Sequence, residues 1–128
     1  MKIYLAGGMR TNWQQNIINE VKNHTFWNPM ENTTNDSRIF SIVDKVGVES
    51  CVVIFAYLER TNPCPCGLIA ELCYGKGLGK ITVFVNEWTE DNYKANNWKS
   101  YYMDLISEWV DVKLDKLEDG TTCLKNLR

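Results

Sequence analysis

The segment Cys51-Val52-Val53-Ile54-Phe55-Ala56 constrains this chain more than any other. It is an unbroken apolar run, rich in β-branched side chains, with no polar face to show to water. A strand built from it must be covered on both sides, as the central strands of parallel sheets are. Ile81-Thr82-Val83-Phe84-Val85 has the same character, and Lys2 to Ala6 is a shorter version closed by Gly7-Gly8. Thr25-Phe26-Trp27 reads as a further strand, stopped by Asn28-Pro29.

The intervening stretches have helical periodicity. Trp13, Ile17, Ile18 and Val21 share one face of a helix that Thr11 or Asn12 can cap. Asp36 or Ser37 can cap a second helix, with Ile39, Ile42, Val43 and Val46 as its expected inner face. Gly67 opens a third helix that runs to about Leu78 and stops at Gly79-Lys80. Asp91 to Trp109 is expected to be mostly helical. Val110, Val112 and Leu114 then alternate with charged residues, as in a short edge strand or an extension of that helix. This β-α-β-α-β-α-β-α order implies one α/β domain over residues 1–128, a parallel sheet with helices on both faces. Ligands in such sheets bind at the carboxyl ends of the strands, where strand order reverses. The loops Gly7 to Asn12, Trp27 to Glu31 and Tyr57 to Gly67 are therefore the places to look for chemistry.

Bulk composition narrows the function classes. With 14 Lys plus Arg against 16 Asp plus Glu, the net charge of −2 argues against broad binding to nucleic acid or to an anionic membrane. No run is apolar enough to span a bilayer, and the first residues read as a strand rather than a signal peptide, so a cytoplasmic protein is expected. The 5 cysteines are odd in number and suit a reducing compartment as free thiols. Cys64-Pro65-Cys66 resembles half of a metal site, but the chain's only histidine is His24, so no metal is expected, and no other cofactor.

Several residues stand out against this background. Ala6-Gly7-Gly8-Met9-Arg10 combines glycines that let a backbone approach a ligand with an arginine suited to a carboxylate or phosphate. A plain turn with a solvated arginine explains it equally well. Asp44 falls late in the second helix, where a carboxylate opposes the macrodipole, and alone reads as a solvated position. Glu71 sits among Leu68, Ile69, Ala70, Leu72 and Cys73 near the start of the third helix. An acid in so apolar a stretch is either a cap or a functional group. The helix N-terminus is expected to lower its pKa and keep it ionised. Gly75 to Lys80 lacks the ending of a phosphate loop and follows a helix, so it reads as a helix stop. Trp13, Trp27, Trp98 and Trp109 are expected in the core or an interface, and Trp88 beside a pocket.

Taken together, Ile3-Tyr4-Leu5-Ala6-Gly7-Gly8-Met9-Arg10, Asn28-Pro29-Met30, Asp44, Val52 to Glu59, Gly67 with Glu71-Leu72-Cys73-Tyr74-Gly75, and Leu78-Gly79-Lys80 resemble the nucleoside 2-deoxyribosyltransferase family and its nucleotide N-glycosidase relatives. The resemblance spans roughly residues 2 to 86 and implies a flavodoxin-like doubly wound sheet. It implies that Glu71 attacks C1′ of a (deoxy)nucleoside, forming a covalent glycosyl-glutamate that a second base or water resolves with retention. By the same likeness Tyr4 orients Glu71, and Asp44 binds or protonates the departing base. Gly7, Gly8, Met9, Arg10, Asn28, Pro29, Glu59 and Gly67 fall to substrate binding. The family's transferases often carry an aspartate six residues before the nucleophile; here that position is Pro65. Both transfer to another base and hydrolysis of a 5′-monophosphate therefore stay open, as does a nucleotide-binding module without turnover. The likeness further implies a small-molecule substrate, a role in nucleotide salvage, and a homodimer or higher homo-oligomer. The aromatic-rich C-terminal third could supply the interface.

Overall fold

A computed structural model describes all 128 residues. The chain forms β1 (Lys2–Gly7), α1 (Trp13–Glu20), β2 (Thr25–Trp27), a 3₁₀ turn (Pro29–Glu31), α2 (Ser37–Ser50), β3 (Val53–Leu58), α3 (Cys66–Gly77), β4 (Ile81–Asn86), α4 (Glu90–Ala95), α5 (Ser100–Trp109), β5 (Val112–Leu114) and α6 (Leu117–Asn126). Every strand pair is parallel, and the sheet order is β2-β1-β3-β4-β5. This is the flavodoxin-like doubly wound order, with its switch point between β1 and β3.

The β3 run behaves as its composition demands: all of Val53 to Leu58 is buried. Its alternation divides the interior into two layers. Ile54, Ala56 and Leu58 point with Tyr4 and Ala6 toward α2, α3 and α5, against Val48, Leu68, Leu72 and Met103. Val53, Phe55 and Tyr57 point with Ile3 and Leu5 the other way, against Trp13 and Ile17 of α1, Val21 just after it, and Leu124 of α6.

Three local expectations change in the folded chain, and one that stood between two alternatives is resolved. The inner face of α2 is not the stripe Ile39, Ile42, Val46. Those side chains are exposed, Val43 is half-buried, and the buried residues of the helix are Asp44, Gly47 and Val48. The reason is steric: a Cβ at Gly47 would lie 2.5 Å from Trp27 Nε1 and 2.8 Å from Tyr4 Cε2, so only glycine lets the helix come this close to β1 and β2. The predicted helix over 91–109 is two helices, α4 and α5, broken near Asn97, whose φ is +54°. Residues 112–114 form a parallel edge strand rather than a longer α5. After it comes α6, which the sequence pattern did not reveal. Its buried residues, Gly120, Thr121 and Leu124, include only one large apolar side chain. Finally, Asn12 holds the N-cap position of α1 without a side-chain bond, and the Thr11 hydroxyl donates to Glu59 instead. Asp36 does cap α2, accepting from the Arg38 and Ile39 N–H groups.

Candidate active site

Tyr4 lies in the middle of β1, completely buried, with its ring on the α2/α3 side of the sheet. From there its hydroxyl donates to Glu71 Oε1 at 2.9 Å. Glu71 is in the second turn of α3 and faces a cavity of about 360 Å³ between α2 and α3. Phe40, Ser41, Asp44, Lys45 and Val48 form one wall, and Gly67, Ala70, Glu71 and Tyr74 form the other. The size suits a small ligand. Asp44 is buried in the α2 wall, and Asn32 Nδ2 donates to its Oδ1 at 3.3 Å. At the rim the Lys45 ammonium stands 5.6 Å from the centroid of the Tyr74 ring. Glu49 accepts from both Lys45 and Tyr74.

The electrostatics differ from the sequence expectation in one respect. Glu71 is not held below the ordinary carboxyl range; its pKa is pushed up to about 7. Burial is the main cause, the nearby Asp44 charge adds to it, and the Tyr4 hydrogen bond works against it. The helix N-terminus acts mainly on the first turn, which in α3 begins at Cys66. Glu71 sits a turn further on, where loss of water outweighs the dipole. Burial likewise raises the Asp44 pKa, opposed by the Asn32 hydrogen bond. Burial and the Glu71 charge push the Tyr4 phenol well above its usual value, so it remains a neutral donor. Two carboxyl groups thus share one partly dry cavity, one gripped by a phenol and the other by an amide.

Of the other singled-out residues, Gly67 lines this cavity. Glu59 does not line it, because strand alternation sends it with Tyr57 to the opposite side of the sheet from Leu58. It is buried behind the first loop, where Glu59 Oε2 accepts from the Thr11 hydroxyl at 2.6 Å. A Cβ at Gly8 would lie 2.7 Å from Glu59 Oε1, and one at Gly7, where φ is +156°, would lie 2.6 Å from the Tyr57 carbonyl oxygen. Both glycines of that turn are therefore needed for packing against the end of β3. Met9 and Arg10 are exposed, and Arg10 forms no salt bridge. Asn28 and Pro29 are buried; the Asn28 side chain accepts from the Met30 N–H and caps the 3₁₀ turn that leads to Asn32. Asn28 and Pro29 thus lie outside the cavity lining, and Asn28 instead lines a smaller cavity with Trp27, Asn32 and Val43.

Asn32, which bonds Asp44, carries no signal in the sequence that marks it. Phe40 and Ser41, in the first turns of α2, were missed because the expected inner face lay elsewhere. Trp88 does not line the cavity either: it is buried, its indole N–H donates to the Glu59 carbonyl at 3.1 Å, and Tyr93 and Trp98 pack edge-on against it.

No family model and no curated protein matches this chain. Among solved structures, a 2-desoxiribosyltransferase from Leishmania mexicana is similar over 69% of this chain, with a TM-score of 0.59 and 23% sequence identity. The similarity spans 65% of that protein's own chain. At this identity the likeness concerns architecture, and the conclusion is that this protein has the flavodoxin-like α/β fold of a 2-deoxyribosyltransferase.

Proposed function

We propose that this protein cleaves the N-glycosidic bond of deoxynucleosides and transfers the 2-deoxyribosyl group to a second base, with Glu71 as nucleophile. One observation carries the reading: Glu71, anchored by Tyr4 at 2.9 Å, shares a small cavity with the buried Asp44. The Tyr4 hydroxyl occupies Glu71 Oε1, and Oε2 has no protein donor. Oε2 is then the oxygen that attacks C1′ of the sugar. The electron pair of the C1′–N bond leaves with the base. The Asp44 carboxyl, whose pKa burial raises, binds the departing base or passes a proton to its ring nitrogen. A second base attacks C1′ of the glycosyl ester from the vacated side, gives its ring N–H proton to Asp44, returns Glu71 as carboxylate, and completes two inversions. Hydrolysis differs only in that water takes the second step.

The test is incubation with a deoxynucleoside and a different free base. A new nucleoside supports transfer. Accumulation of free sugar and base alone, with faster cleavage of 5′-monophosphates, supports the hydrolase reading. Pro65 in the loop before α3 and the unpaired Arg10 beyond β1 favour that second reading. If neither substrate class is cleaved, both readings fail.

The pH profile tests the roles separately. The nucleophile must be ionised, so kcat/KM is expected to rise with pH along a limb near 7, where Glu71 loses its proton. Tyr4→Phe removes the bond that lowers the Glu71 pKa, so its limb moves to higher pH. Asp44→Asn removes the charge that raises it, so its limb moves to lower pH. Losing the group that serves the departing base also reduces kcat by on the order of 10²–10³-fold. Shifts in the same direction for both variants would contradict the assignment.

A further inference from the structure

Cys64 and Cys66 take no part in the proposed chemistry, yet they form the most reactive-looking pair in the chain. Their sulfurs lie 3.4 Å apart, and both residues are exposed. Pro65 stands between them at the N-cap of α3, with φ −85° and ψ 12°, and this turn brings the two side chains together. From this geometry we propose that Cys64 and Cys66 are a thiol–disulfide exchange site that accepts small-molecule disulfides.

The two thiols differ in the sense that such a site requires. The Cys66 backbone N–H and thiol lower the Cys64 pKa and so favour its thiolate, while the hydrogen bond to Cys64 raises Cys66. Thiolates are the attacking species, and those at helix N-termini are favoured. In the first step the Cys64 thiolate attacks one sulfur of the small disulfide; a mixed disulfide forms and one small thiolate leaves. In the second, Cys66 loses its proton and attacks the Cys64 sulfur, expelling the second small thiolate. The protein loses two hydrogens as its two thiols become one disulfide, and the small disulfide is reduced to two thiols. The remaining cysteines are less suited: Cys51 is buried, Cys73 and Cys123 are half-buried, and burial raises all three pKa values. A closed metal site is a poorer reading, since no third His, Cys, Asp or Glu gathers around the pair.

The experiment is treatment of the full chain with oxidised glutathione, followed by intact-mass and peptide analysis. The wild type is expected to lose the mass of two hydrogens, with the new bond mapping to Cys64–Cys66. Cys66→Ser lacks the resolving thiol and is expected to accumulate one glutathione adduct at Cys64. Cys64→Ser is expected to react at Cys66 at least about tenfold more slowly. Both substitutions fall at exposed positions, so loss of folding does not blur the outcome. A wild type that stays fully reduced, equal adduct rates in the two variants, or modification first at Cys73 or Cys123 would overturn the assignment.

Discussion

Glu71→Gln is expected to reduce glycosidic cleavage by on the order of 10⁴-fold and, at the same time, to make the protein more stable at alkaline pH. The amide keeps the shape of the side chain and can still accept from Tyr4, but it cannot form a glycosyl ester that turns over. The stability gain follows from burial. The folded-state pKa is raised from 4.5 to about 7, so between those values the folded chain holds a proton that the unfolded chain has released. The Glu71 contribution to stability therefore falls as pH rises from about 4.5 through 7, and above that range the folded state carries the full cost of this buried charge. Removing that charge is worth about 1–3 kcal/mol at pH 8 and close to nothing at pH 4. Urea unfolding of wild type and variant at both pH values measures this. An equal difference at pH 4 and pH 8 would show that no charge penalty exists at Glu71. Retained cleavage would remove it as the nucleophile, whatever the unfolding data show.

The second large effect belongs to a residue without chemistry. Gly47→Ala is expected to destabilise the protein by about 2–3 kcal/mol, even though alanine is the better helix former. The added carbon would sit 2.5 Å from Trp27 and 2.8 Å from Tyr4, far inside contact distance, so α2 must retreat from the sheet. That movement displaces the ring that anchors Glu71 and shifts the wall that carries Asp44. Activity is expected to fall with stability, and its pH limb to move upward as in Tyr4→Phe. Gly77→Ala is the control, because nothing lies within 4 Å of a Cβ there. It is expected to be neutral or stabilising by up to about 1 kcal/mol. Equal stability of the two variants would mean that α2 does not pack this closely on β1.

The same glycine explains why part of the molecule could not be read in advance. Hydrophobic periodicity alone turns the face with Ile39, Ile42 and Val46 inward, because those are its largest aliphatic side chains. The folded helix turns by the separation between two surfaces, which favours Gly47 and leaves the aliphatic stripe exposed. The position of Asp44 follows from that rotation. The C-terminal helix was hidden for a related reason: its contact with the sheet is made at Gly120, whose Cβ would lie 2.7 Å from Val85 Cγ2. A small residue at a close contact leaves no hydrophobic signal.

What the sequence determined by itself is the sheet. Apolar runs such as Val53 to Leu58 cannot meet water on either face, and with helices between them only a covered parallel sheet satisfies them. Tyr4 and Glu71 also stand out in the sequence, one as part of a motif and the other as an acid in apolar surroundings, and the fold brings the two together. Only the tertiary structure decided that the Glu71 pKa is raised and that Glu59 is excluded from its cavity. Desolvation depends on what the rest of the chain places around a carboxyl group, and Glu59 is turned away by the alternation of a strand whose end the sequence does not mark. Tyr4 and Glu71 are 67 positions apart in the sequence, and their hydrogen bond exists only because β1 and α3 pack on each other.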